Sequence, residues 1–131
     1  GIAPLQPELA AVEAGRILLN QMQHLTIQKA SFAFETTLSA RNYLHRISEW
    51  RKRQYHVTLI FLSLPTSAFA ISRVKQRVKQ GGHNIPDDVI RRRFDRGLRN
   101  LEAYKKLVNA WQLYDNSSSL AVLLEEGINE S

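Results

Sequence analysis

Not one of the 131 residues is a cysteine. A disulfide framework, a thiol nucleophile and a thiolate metal site are therefore excluded. Long apolar runs are missing too. The longest, VTLIFLSLP, is interrupted by Thr58 and Ser63 and falls well short of the roughly 20 residues that a membrane helix needs. The opening residues, GIAPLQPELAA, have neither the basic start nor the apolar core of a secretory signal. These absences lead to the expectation of a cytoplasmic protein without a membrane segment. His24, His45, His56 and His83 show no paired spacing of the kind zinc sites use, and no HExxH occurs, so histidine ligation of a metal is not expected. A hydrolase triad has no support either, because G-x-S-x-G is absent. Glycine is scarce: none lies between Gly15 and Gly81, and no G-x-x-x-x-G-K-[ST] occurs anywhere. The backbone cradle and lysine that such a motif supplies to nucleotide phosphates are missing from these residues.

What is present is an ordinary globular balance, with 44% hydrophobic and 23% charged residues, in a length that suits one domain over residues 1–131. The distribution of charge says more than the net +6. Between Arg41 and Lys106 there are 16 basic and 5 acidic side chains, while the flanks hold 2 basic and 7 acidic ones. A positive field concentrated in this way favours an anionic partner such as phosphate groups, an acidic surface or nucleic acid. A solvated basic face explains it equally well. Nucleic acid stays a minor alternative, since aromatic interleaving and any RNA- or DNA-module signature are lacking.

Periodicity divides the chain. Ala10, Ala14, Ile17, Leu18, Gln21 and Leu25 predict a helix over 7–25, with Pro7 in its first turn. SFAF reads as a short strand. A second helix over 40–53 follows, with Tyr43, Leu44, Ile47 and Trp50 on one face and Ser39 as its N-cap. YHVTLIFLSLP, β-branched and almost continuously apolar, suits a strand buried on both faces of a parallel sheet. A third helix over 66–79 turns Ile71, Val74 and Val78 inward. After GGHNIP, Pro86, Asp87 and Asp88 start a long fourth helix whose apolar stripe is Ile90, Phe94, Gly97, Leu98, Leu101 and Val108. WQLYD is a further strand, and LAVLLEEG closes the chain as an edge strand or short helix. The alternation predicts an α/β domain, a mainly parallel sheet flanked by helices.

Ligands of open α/β sheets bind outside the carboxyl ends of the strands. Glu35, Thr36, Thr37 and Ser39 follow SFAF and could orient a substrate hydroxyl, take a proton or help hold a metal ion; equally, Thr37 and Ser39 could cap the next helix while Glu35 pairs with Arg41. At about 100° per residue, Arg92, Arg96 and Arg99 point away from the fourth helix's stripe, whereas Arg91 and Arg93 flank it. Arg73 and Arg77, four apart, share a face of the preceding helix. Two arginine-bearing helices joined by GGHNIP read as a hinged basic flap, and arginine's planar fork suits phosphate oxygens.

FAFETTLSAR, RVKQRVKQGGHNIPDDVIRRRFDRGLRN and WQLYDNS together resemble the second half of the zeta-toxin-like P-loop kinases, a resemblance running from about residue 3 to about 127. It implies a partial P-loop kinase-like fold in which the first two strands are missing, with a lid at about 72–100. It also implies phosphoryl transfer from ATP with Mg2+ to a small anionic acceptor, as the founding toxins act on the 3′-hydroxyl of UDP-N-acetylglucosamine, and pairing with an antitoxin. By the same resemblance Glu35, Thr36, Thr37 and Arg41 would meet the substrate. Arg73, Arg77, Arg91 and Arg93 would form the phosphate-binding lid, and Asp115 and Asn116 the nucleotide-side loop.

This chain departs from that pattern in three places. The founding toxins read E-G-T-L-R where Glu35 to Ser39 read E-T-T-L-S, and His83 stands where a lid arginine precedes the proline. The phosphate cradle and the aspartate that would act as base are absent. The expectation is therefore a kinase fragment, inactive as this chain alone, or else a non-catalytic module that holds an anionic partner with its basic flap. In such kinases the first strand lies between SFAF and YHVTLIFL. Its loss predicts that those two strands pair directly, or that a second copy or a partner strand fills the gap.

Overall fold

A computed structural model describes residues 7–36 and 38–129. The chain divides into two compact units, Gly1–Glu35 and Thr36–Ser131. In the first unit, helix α1 spans Pro7–Ile27. Met22 and Thr26 are buried on it, and the Thr26 hydroxyl donates to the Met22 carbonyl at 2.7 Å, one turn back. The helix ends where Lys29 takes a left-handed conformation (φ 58°) and the Ala30 amide closes onto the Leu25 carbonyl at 3.0 Å. SFAF is not a strand: residues 30–36 have no regular secondary structure and lie outside the sheet. A strand exists only through the ladder it makes with a neighbour, so β propensity alone does not create one. The expected direct pairing of SFAF with YHVTLIFL is thereby overturned.

The second unit runs α2 (Asn42–Lys52), β1 (Thr58–Ser63), α3 (Ser67–Lys79), α4 (Asp87–Leu107), β2 (Ala110–Asp115) and β3 (Val122–Ile128). The three strands lie in the order β1-β2-β3, with β1 and β2 parallel and β2 and β3 antiparallel. The sheet is therefore mixed rather than mainly parallel. Only the β1–β2 connection is long enough to carry helices across a sheet; the short SSSLA turn after β2 brings the chain straight back. The β2–β3 ladder slips by one residue between Leu113 and Tyr114. Two pairs before the slip Gly127 faces Trp111, and a Cβ on that glycine would lie 2.5 Å from the indole Cζ2. The bare glycine is what lets the ring lie across the strand.

Helix ends follow local chemistry, with one exception. The Thr66 hydroxyl accepts from the Phe69 amide at 3.3 Å as the α3 N-cap. At the other end Gly81, at φ 96°, makes the turn out of α3. Asp87 and Asp88 occupy the first turn of α4, where the helix dipole favours negative charge. The exception is the expected cap of α2: its N-cap is Arg41, not Ser39, and, as at Pro86 of α4, no side chain caps it. Helices α2 and α3 both pack on α4. The core they share holds Ile47 and Trp50 of α2, Ile71 of α3, and Ile90, Leu101 and Tyr104 of α4. At its carboxyl end α4 reaches the sheet, where the Lys105 ammonium sits 4.1 Å from the Trp111 ring centroid and 3.5 Å from Glu125.

Strand β1 is not buried on both faces. Thr58, Ile60 and Leu62 are exposed, while Leu59, Phe61 and Ser63 are half-buried. The Val57 carbonyl accepts from Asn109 and Ala110, and the Ser63 carbonyl accepts from Asn116. By strand alternation, the backbone groups of Thr58, Ile60 and Leu62 face outward, on an edge with no strand beside it among the described residues.

Candidate functional site

The segment after Glu35 is held by α4. Leu38 has a left-handed backbone (φ 56°) and is 3% exposed. For a residue with a Cβ that conformation costs about 1–2 kcal/mol, and it persists only where surroundings over-determine it. Here they do. The Asn100 side-chain amide donates to the Leu38 carbonyl at 2.7 Å, and the Tyr104 hydroxyl donates to the Ala40 carbonyl at 2.9 Å. The Leu38 amide itself donates to the Thr36 hydroxyl at 3.3 Å. Burial pushes the Tyr104 phenol above its ordinary pKa, more than a backbone hydrogen bond from Tyr43 lowers it.

Beside this clasp lies an open depression of about 390 Å³ lined by Ser39, Arg41, Arg96, Arg99 and Asn100. The Arg41 guanidinium donates to the Asn100 side-chain oxygen at 3.4 Å. None of Arg41, Arg96 and Arg99 forms an ion pair with an acidic side chain among the described residues. Arginines that line one depression without acidic partners among the described residues favour an anion there, since it offsets their mutual repulsion.

A second cluster forms where the parallel strands end. The Arg73 guanidinium of α3 donates to the Asn116 carbonyl at 2.6 Å, and the Asn116 amide donates to the Ser63 carbonyl at 2.8 Å. The Ser63 hydroxyl donates to the Tyr114 carbonyl and the Asp115 carboxylate accepts from the Ser117 amide, both at 2.8 Å. Arg73, Asp115 and Asn116 are thus brought together, with much of their hydrogen bonding spent on shaping the loop after β2. Arg77, Arg91 and Arg93 are exposed. Arg92 is exposed as well and pairs with Asp88 at 3.4 Å. Glu35 and Thr36 are exposed, and Thr37 lies outside the described residues.

Sequence periodicity missed Asn100 and Tyr104 on the inner face of α4; Arg96 and Arg99, read as pointing away from the stripe, are exposed. The expected stripe put Leu98 inside, but Leu98 is 42% exposed, while Gly97, Asn100, Leu101 and Tyr104 are buried. With Asn100 and Tyr104 on it, Leu98 off it and Phe94 half-buried, the inner face of α4 is turned toward Arg96. The available signal was the 97, 100, 101, 104 spacing, which is helical. It was obscured because a polar asparagine does not register as core.

A family model described as Zeta toxin matches residues 7–127. The chain belongs to the zeta-toxin family. An "Uncharacterized protein" of Haemophilus influenzae is 30% identical to it over 93 residues, 71% of this chain and 66% of that protein's length. The chain therefore spans a little less than two thirds of that relative. No solved structure matches it. In this zeta-toxin family chain the α/β architecture, with four helices and a three-stranded mixed sheet among the described residues, is consistent with part of a P-loop-like fold. No helix among the described residues is long and apolar enough to cross a membrane. The arginines of the depression suit phosphate oxygens, and no three His, Asp or Glu side chains among the described residues converge as an all-protein cation cage would need.

Proposed function

We propose that this chain supplies the acceptor- and phosphate-binding part of a zeta-toxin-like, ATP-dependent small-molecule kinase. The observation that carries the reading is the depression lined by Arg41, Arg96 and Arg99, none of which pairs with an acidic side chain among the described residues, at the end of the E-T-T-L-S segment. Phosphoryl transfer depends on positioning and charge compensation more than on covalent help from the protein, and clustered arginines provide both. In this reading the depression holds an anionic group of the acceptor, of the sugar-nucleotide kind. Glu35, Thr36 and Thr37 meet its hydroxyl, Arg73, Arg77, Arg91 and Arg93 serve the lid, and Asp115 and Asn116 serve the nucleotide side. ATP and Mg2+ belong to the proposal through the family, as do an antitoxin partner and a cytoplasmic setting.

A second reading is that the chain binds an anionic partner without catalysis. It is favoured by one fact: these 131 residues contain no G-x-x-x-x-G-K-[ST]. Calorimetric titration with inorganic pyrophosphate, and separately with Mg-ATP, tests both. Pyrophosphate is expected to bind saturably, and Arg96→Ala or Arg99→Ala to weaken it by about tenfold, the loss of one charge-assisted contact. Arg91→Ala and Arg93→Ala are expected to matter less; the reverse ranking would return the site to the flanks of the α4 stripe. Saturable Mg-ATP binding supports the kinase reading. Pyrophosphate binding without Mg-ATP binding supports the second.

A further inference from the structure

Asn100 is a polar residue in the middle of a buried helical face, only 7% exposed. A buried amide is costly unless both its ends are paired. Both are paired, and to one neighbouring segment: the nitrogen donates to the Leu38 carbonyl and the oxygen accepts from the Arg41 guanidinium. An apolar residue would fill the same space in the stripe without that desolvation. What the amide adds is a link between α4 and residues 38–41. Arg96 and Arg99 belong to α4 itself and line the same depression as Arg41, which precedes α2.

We propose that Asn100 is a positioning residue for anion binding. It holds the left-handed Leu38 segment and the Arg41 guanidinium on α4, so that Arg41, Arg96 and Arg99 present one fixed surface. The proposal rests on the reading of the depression as an anion subsite. Its physical basis is preorganisation. Arg41 is exposed and its long side chain carries substantial rotamer entropy, which a ligand would otherwise have to remove on binding. With the guanidinium already fastened to Asn100, that ordering is completed during folding. The Tyr104–Ala40 hydrogen bond braces the same segment from the next turn of the helix.

The test is a double-mutant cycle on the whole chain, with inorganic pyrophosphate as the probe and calorimetry as the readout. Asn100→Ala and Arg41→Ala are each expected to weaken binding several-fold. The double variant is expected to bind no more weakly than Arg41→Ala alone, because Asn100 acts through Arg41. Nuclear magnetic resonance of the arginine side chains gives a second signature: the Arg41 guanidinium is restrained in the wild type and averaged by free rotation in Asn100→Ala. Should Asn100→Ala fail to fold, Asn100→Ser replaces it in the cycle, keeping a polar group too short to bridge both partners. Additive losses, or an Arg41 signal indifferent to residue 100, would overturn the positioning role while leaving the subsite intact. If Arg41→Ala, Arg96→Ala and Arg99→Ala all leave pyrophosphate affinity unchanged, the subsite reading falls and takes the positioning role with it.

Discussion

Tyr104 shows how one side chain can serve both core and site. Its ring is 1% exposed in the core of α4, and its hydroxyl holds the Ala40 carbonyl. Tyr104→Phe keeps the ring and leaves that carbonyl without its donor, so a loss of about 1 kcal/mol is expected in denaturant unfolding. The phenol also gives a pH dependence. Its pKa is raised in the folded chain by burial, whereas an unfolded tyrosine titrates near about 10. The folded state therefore holds the proton more tightly. That contribution is complete below the unfolded value and is lost as pH rises through the folded one. Stability is expected to fall on the alkaline side in the wild type, and the part of the fall due to this residue to vanish in Tyr104→Phe. An identical alkaline profile in both would show that the ionisation is not linked to folding.

Among the elements, α4 organises the second unit. It packs against α2 and α3, carries Arg96 and Arg99, and meets β2 through Lys105 and Trp111. Arg51 of α2 donates to the Leu107 carbonyl at 2.8 Å, satisfying one of the carbonyls left open at the end of α4. The surface ion pairs along it, Arg92–Asp88 and Lys105–Glu102, add little, because exposed pairs contribute at most about 1 kcal/mol. The β2–β3 pair depends instead on a close fit. Gly127→Ala would set a methyl group against the rigid indole of Trp111. Overpacking of this kind costs about 1–3 kcal/mol. A lower unfolding midpoint with altered Trp111 fluorescence is expected, and an unchanged midpoint would mean that the ladder shifts freely at the Leu113/Tyr114 irregularity.

At the scale of the molecule, no strand among the described residues pairs with the outer edge of β1. The residues whose backbone groups face outward on β1 are also those whose side chains are uncovered, with Ile60 59% and Leu62 55% exposed. An apolar strand edge of this sort is a template for another strand. Light-scattering mass is expected to rise above the monomer with concentration, and Ile60→Lys, which puts a charge on the edge, to suppress the rise. A wild-type chain that stays monomeric at every concentration would show that the edge is protected in some other way.

How much of this was legible beforehand depends on where each interaction closes. Helices satisfy their hydrogen bonds internally, so α1 to α4 could be read from apolar spacing, Pro86 and the acidic pair Asp87–Asp88. The strands β1 and β2 were also legible, being apolar runs between clear stops, and the motifs around E-T-T-L-S, G-G-H-N-I-P and Y-D-N-S pointed to the zeta-toxin family. The basic centre was legible from charge alone, though charge by itself left a solvated face and an anionic ligand as equal readings. Tertiary structure decided the rest. SFAF has strand propensity, but a strand needs a ladder partner. The antiparallel return of β3 depends on the turn after β2. The buried face of α4 depends on Asn100 finding partners in residues 38–41, 59 or more positions away in sequence. A pairing that closes over such a distance leaves no local periodicity, which is why the arginines at the depression emerged only once the chain was folded.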